Sequence, residues 1–144
     1  MPHAKQQIRS AVVTLLTGLA TTGASVFSTR IYNHETIPSL NVIAGDESTD
    51  PVNQDGTQMR TLALIVEARA MKQTGVDDQA DDIQSEVETA LHADYTLGGV
   101  CVHCELRAVT DERDDEGAKP SIMRSMDFEV RYIIDPSSPN TLIN

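Results

Sequence analysis

Two stretches toward the C-terminal end show the clearest alternation of apolar and polar side chains. From Val100 to Thr110, Val100, Val102, Cys104, Leu106 and Ala108 share one face of an extended chain, and His103, Glu105 and Arg107 share the other. From Ile122 to Ile134, Met126, Phe128, Val130, Tyr132 and Ile134 oppose Asp127, Glu129 and Arg131. Both patterns predict half-buried strands. The run from Asp111 to Pro120 between them carries too much charge to bury and ends in turn formers, so the spacing predicts a long-looped antiparallel hairpin.

The rest of the chain supplies partners for these strands. Ile8, Val12, Leu15, Leu16 and Leu19 recur at helical spacing and predict an amphipathic helix from Pro2 to about Thr21, ended by Gly23. Ser25 to Tyr32 is rich in β-branched and aromatic residues and predicts a strand; Asn33 to Pro38 then turns the chain into a second strand starting at Leu40, Val42 and Ala44, as a hairpin or near-hairpin. Gly45 to Gln58 is nearly all polar and predicts an exposed loop. Arg60 to Met71 places Leu62, Leu64, Val66 and Ala68 on one face and Ala63 and Ile65 on the other, the pattern of a central strand. Asp77 to Ala93 predicts a second helix capped by Asp77 or Asp78, with Ala80, Ile83, Val87, Ala90 and Leu91 as its stripe.

The order αβββαββ, with no repeat of roughly 20–50 residues, points to an α+β domain over residues 1–134. Its sheet should be antiparallel or mixed, of about five strands, with two helices packed on it. Residues 135–144 read as a tail. The expected core includes Val12, Leu16, Leu64, Val66, Ile83, Val87, Leu106, Phe128 and Val130.

Composition narrows the functional classes. The 144 residues suit one domain, and with aromatics at 3% and no Trp the core must rest on Val, Ile, Leu and Ala. A formal charge of −11 argues against a surface built to grip nucleic-acid phosphates. Lys5 and Arg9 before an apolar run imitate a secretory signal, but threonines and Gly18 dilute that run, and helical spacing describes it better. No run approaches the ~20 apolar residues that span a bilayer, so no membrane partner is expected and the chain is expected to work in a reducing cytoplasm.

Candidate chemistry is sparse. Cys101-Val102-His103-Cys104 could be half a zinc site or a redox pair, yet on a strand residues three apart point to opposite faces, and the remaining histidines are scattered. Cys104 is expected in the core and Cys101 near the surface. The acids at Asp77, Asp78, Asp81 and Asp82 and from Asp111 to Glu116 lack calcium-loop spacing, and Asp50 to Gly56 has Pro51 where a ligand belongs. Nucleophile elbows, phosphate-cradling loops and paired-histidine motifs are absent from the sequence. No catalytic residue, metal or cofactor is expected, and Asp46, Glu47, Asp50, Asp55, Asp111, Glu112, Asp114, Asp115 and Glu116 are the candidate partner- or channel-facing loop residues.

The order of features resembles a known family. A short N-terminal helix, Ala24-Ser25-Val26-Phe27 leading to Arg30, Ile37-Pro38-Ser39-Leu40-Asn41-Val42, and an acidic loop with Glu47 are similar to the tail terminator proteins of long, flexible-tailed bacteriophages. Arg113-Asp114-Asp115-Glu116-Gly117 followed by Asp127-Phe128-Glu129-Val130-Arg131-Tyr132 resembles that family's acidic loop and last strand. The resemblance implies a virion subunit assembled in the host cytoplasm. It would close as a homo-hexameric ring on the head-proximal end of the tail tube, touch the tail tube protein and the head-tail connector proteins, and let DNA pass without specific binding. The Cys101/Cys104 pair and the Pro-containing end after Asp135 depart from the pattern. Another neck or tail-completion protein of the same virion, or a small α+β ligand-binding domain, is the alternative.

Overall fold

The computed structural model describes residues 3–28, 38–51, 56–114 and 119–142. Within them the chain runs α1 (Ala4–Leu16), β1 (Val26–Phe27), β2 (Ser39–Pro51), β3 (Gln58–Met71), α2 (Val76–Ala93), β4 (His103–Asp114), β5 (Ser121–Asp135) and β6 (Ser138–Leu142). The strands form one mixed sheet in the order β1-β2-β3-β5-β4, and β6 pairs with β5. Two helices packed on such a sheet make an α+β fold.

α1 buries Ala4, Ile8, Val12 and Leu16, one residue per turn. The imidazole of His3 accepts from the Lys5 amide at 3.0 Å, and the Gln6 side chain accepts from the His3 amide at 3.1 Å, closing the helix N-terminus from both sides. The helix ends before the expected Thr21. Thr17 is already extended, with its hydroxyl on the Val13 carbonyl at 2.6 Å, and Gly23 closes a separate small turn with Gly18 and Leu19.

α2 starts one residue before Asp77, and neither aspartate caps it. Gly75 occupies the cap position at φ +77°, a left-handed conformation that glycine reaches without a Cβ penalty. Asp77 and Asp78 lie in the first turn, where the macrodipole favours their charge. Val76, Ala80, Ile83, Val87 and Leu91 face the sheet.

The sheet departs from the expected hairpins at both ends. β1 pairs with β2 in parallel, Val26 opposite Leu40 and Phe27 opposite Asn41, so these two strands are not a hairpin; the expected turn from Asn33 lies almost wholly outside the described residues. β2 and β3 are antiparallel, and their pairing runs on to Pro51 opposite Gln58. The segment expected as a loop from Gly45 is therefore half strand. Ser48, Thr49 and Asp50 are exposed on both faces, and antiparallel pairing with β3 carries the strand past the side-chain contacts of Glu47. β4 likewise continues to Asp114, so Asp111, Glu112 and Asp114 lie on a strand. Where a tail was expected, Asp135 accepts from the Ser137 amide at 2.9 Å and its hydroxyl at 2.8 Å, turning the chain into β6.

Two bulges decide which side chains face the helices. In β2, Gly45 and Asp46 together oppose Ala63; a Cβ at Gly45 would meet the Ala63 carbonyl oxygen at 3.1 Å. In β4, Arg107 is the extra residue between Leu106 opposite Phe128 and Ala108 opposite Asp127. Beyond it the phase inverts, so Ala108 leaves the expected apolar face and Val109, Asp111 and Arg113 take the helix side.

β3 is central, as its two-sided pattern predicts, and Leu62, Leu64, Val66, Ala68 and Ala70 are buried beneath the helices. β5 buries every even residue from Ile122 to Ile134. Val12, Leu16, Leu64, Val66, Ile83, Val87, Phe128 and Val130 all lie in the core, with Leu106 half-buried at its margin. On the opposite face of β2 and β3, Asn41, Glu67 and Arg69 are buried as well, although alternation alone marks that face as polar.

Candidate interface at the acidic edge of the sheet

The acids singled out in the sequence divide into two groups. Asp46 and Asp50 on β2 are exposed, whereas Glu47 is turned inward by the bulge, opposite Leu62. The Tyr132 hydroxyl donates to the Glu47 carboxylate, Arg60 Nη1 lies 3.5 Å from it and Lys5 Nζ 4.0 Å. Burial, and then the hydrogen bond to Glu47, push the Tyr132 phenol well above its ordinary range. Glu47 is thus an internal pin joining β2, β5 and α1, and not a partner-facing loop residue.

On β4, Asp111 is also committed internally. Arg124, buried on the helix side of β5, donates from Nε at 2.8 Å and Nη2 at 3.0 Å to its two carboxylate oxygens. The same guanidinium reaches Asp81 at 2.5 Å and Gln84 at 3.1 Å on α2. The hydrogen bond from Arg124 holds the Asp111 carboxyl below its usual range, against an opposing desolvation. Arg113 pairs with Asp77 of α2. Glu112 and Asp114 remain exposed; Asp55, Asp115 and Glu116 lie outside the described residues.

The sheet face away from the helices carries a compensated charge ladder. Glu129 accepts from Arg107 Nε at 2.7 Å and Arg131 Nε at 2.6 Å, and Glu105 lies 3.4 Å from Arg107 and 3.3 Å from His103. The Arg107 bond is the main reason the Glu129 carboxyl sits below its ordinary range.

Between the C-terminal end of α2 and β4 lies a groove of about 880 Å³, floored by Leu91, Cys104, Leu106 and Phe128. Tyr95 and His103 stand at its mouth with ring centroids 5.7 Å apart. Cys101 is buried, not near the surface, and its thiol donates to the Tyr95 carbonyl at 3.5 Å. Burial pushes both the Cys101 and Cys104 thiols up to about 12, so neither is a thiolate near neutral pH. Among the described residues no group of three or more His, Cys, Asp or Glu could hold a metal ion, and no helix is long and apolar enough to cross a membrane. What the arrangement offers chemically is a set of surfaces: an acidic strand edge, an apolar groove beside it and a salt-bridged sheet face.

No protein-family model matches the chain. No curated protein matches it in sequence either. Its fold is similar to a chain in the solved virion of a native gene transfer agent particle, with a TM-score of 0.51 and 12% identity over 90% of this chain and 92% of that one.

Sequence reading did not single out Arg124 or Tyr95, nor Tyr132 as a polar partner, and it placed Val102 on the buried face of a strand, whereas Val102 precedes β4 and is exposed. A signal existed for two of them. Arg124 and Tyr132 occupy even positions of β5, where alternation buries the side chain, so each needed a polar partner within the core. Tyr95 lies in the turns after α2, where no periodicity applies.

Proposed function

We propose that this chain is a structural virion subunit and, more narrowly, a tail terminator of the long, flexible-tailed bacteriophage type. The observation that carries the proposal is the likeness of fold, over nearly the full length of both chains, to a chain of a gene transfer agent virion. The quoted segments from Ala24 to Glu47 and from Arg113 to Tyr132 add the narrower reading, because they resemble that family along most of the chain. The role is architectural and asks for no catalysis and no cofactor. The chain closes as a homo-hexameric ring through heterologous contacts, seats on the tail tube protein, stops tube growth and presents its other side to the head-tail connector proteins. At −11 per copy the ring repels phosphate, so DNA passes without being held.

The test is native mass spectrometry of the protein together with electron microscopy of tails isolated with and without it. A six-fold ring at the head-proximal tail end, and over-long tubes in its absence, are expected. A chain that stays monomeric and never associates with tails would overturn the reading.

A further inference from the structure

We propose that the outer edge of β4, with the groove beside it, docks an extended segment of a different protein in which apolar and basic side chains alternate. The inference does not rest on the ring or on the terminator role.

Three observations carry it. First, β4 pairs only with β5 among the described residues, which leaves the outward N–H and C=O groups of a 12-residue strand open to a further strand. Second, the exposed large hydrophobic side chains among the described residues are Tyr95, Val102 and Val109, and all three lie on β4 or on the chain just before it. Tyr95 lines the groove whose floor is Leu91, Leu106 and Phe128, Val102 directly precedes β4, and Val109 stands on the helix side of β4 opposite Met126. Third, the nearby cations are already engaged: Arg107 by Glu129 and Glu105, Arg113 by Asp77, and Arg124 by Asp111 and Asp81. Glu88 at the groove and Glu112 on the strand face no cation among the described residues.

The two faces of β4 then specify the occupant. A strand added to this edge sends alternate side chains to the helix side and to the open side. On the helix side they meet Leu106, Val109 and the groove, with Asp111 and Arg113 already held by Arg124 and Asp77; on the open side they meet Glu112, which faces no cation among the described residues, and Glu105, which Arg107 and His103 share. Apolar residues suit the first set and Lys or Arg the second. A second copy of this chain paired through its own β4 is a poor occupant, because that edge brings the same acids against these.

The probe is a synthetic peptide of about ten residues alternating Val and Lys, compared with its Val/Glu counterpart, since strand addition draws affinity from main-chain bonds and specificity from alternate side chains. Fluorescence anisotropy gives the affinity, and amide hydrogen exchange locates the site. The Val/Lys peptide should slow exchange within His103–Asp114 and bind at least about tenfold more tightly than Val/Glu, a preference that shrinks as salt screens it. A Glu105→Lys, Glu112→Lys double variant with unchanged thermal melting should reverse the preference. Lack of protection on β4, binding indifferent to the sign of the peptide, or a self-dimer joined through β4 in sedimentation would each overturn the proposal.

Discussion

The phenol of Tyr132 donates to the carboxylate of Glu47, tying the inward face of β5 to a residue that only the β2 bulge brings to that side of the sheet. Without the extra residue at Gly45-Asp46, alternation would place Asp46 inside and Glu47 outside. A buried acceptor is thereby matched to a buried donor, and the arm of β2 is fixed against α1 through Lys5.

Tyr132→Phe should therefore cost about 1–2 kcal/mol in urea melts, the lower part of the range for orphaning a buried acceptor, because Arg60 and Lys5 still face the carboxylate. Asp46→Ala should stay within about 0.5 kcal/mol. The folded phenol titrates above its ordinary 10.0, so its contribution is complete below that pH and is lost as pH rises past it. Wild type should thus lose stability in alkali more steeply than Tyr132→Phe. Equal alkaline slopes would refute the pairing.

Arg124→Ala should cost about 2 kcal/mol, a value held down because Asp81 keeps access to water while Asp111 loses a two-pronged partner. Asp111 has a folded value depressed below its ordinary 3.8; its contribution is present above that pH and is lost as pH falls through the folded value. Asp111→Asn should flatten the acid limb of a stability-against-pH curve, whereas Glu112→Ala, on the opposite and exposed side of the strand, should change stability by no more than about 0.5 kcal/mol.

The helices, β3 and β5 were legible in the sequence because each has one face that must be buried, and burial writes a period of 3.6 or 2 into the residues. The outer halves of β2 and β4 were not. There neither face of the strand is buried, and Thr49, Asp50, Glu112 and Asp114 carry no alternation for backbone pairing to betray. The bulge at Arg107 hid the phase change that puts Asp111 beside Arg124, so an internal ion pair read as part of a charged loop. β1 against β2 failed for another reason: strand patterns specify faces, and parallel or antiparallel direction is not written in them.

Cys101 and Cys104 should both be silent toward an aromatic disulfide reagent at pH 8 in the native protein, because burial holds their thiols protonated up to about 12. Both should react at once in denaturant. Rapid native labelling of either thiol would show that the α2–β4 connection opens far more readily than its packing implies.

Phe128 and Glu129 are neighbours on β5 with opposite fates, and comparing them tests the assignment of the sheet faces. Phe128 is buried, pairs directly across the ladder with Leu106 and floors the groove beside α2. Glu129 lies on the open face, where Arg107 and Arg131 share its carboxylate in contact with water. Phe128→Ala removes an aromatic ring from a core with few aromatics and should cost about 3–5 kcal/mol, a large part of the ~5–15 kcal/mol that holds a domain folded. Glu129→Ala breaks two surface ion pairs and should cost about 1 kcal/mol or less. High salt should narrow the Glu129 difference and leave the Phe128 difference intact, since only the first is screened. Denaturant melts that ranked Glu129 above Phe128 would mean that β5 presents its odd residues to the helices, and the pairing of Tyr132 with Glu47 would fall with it.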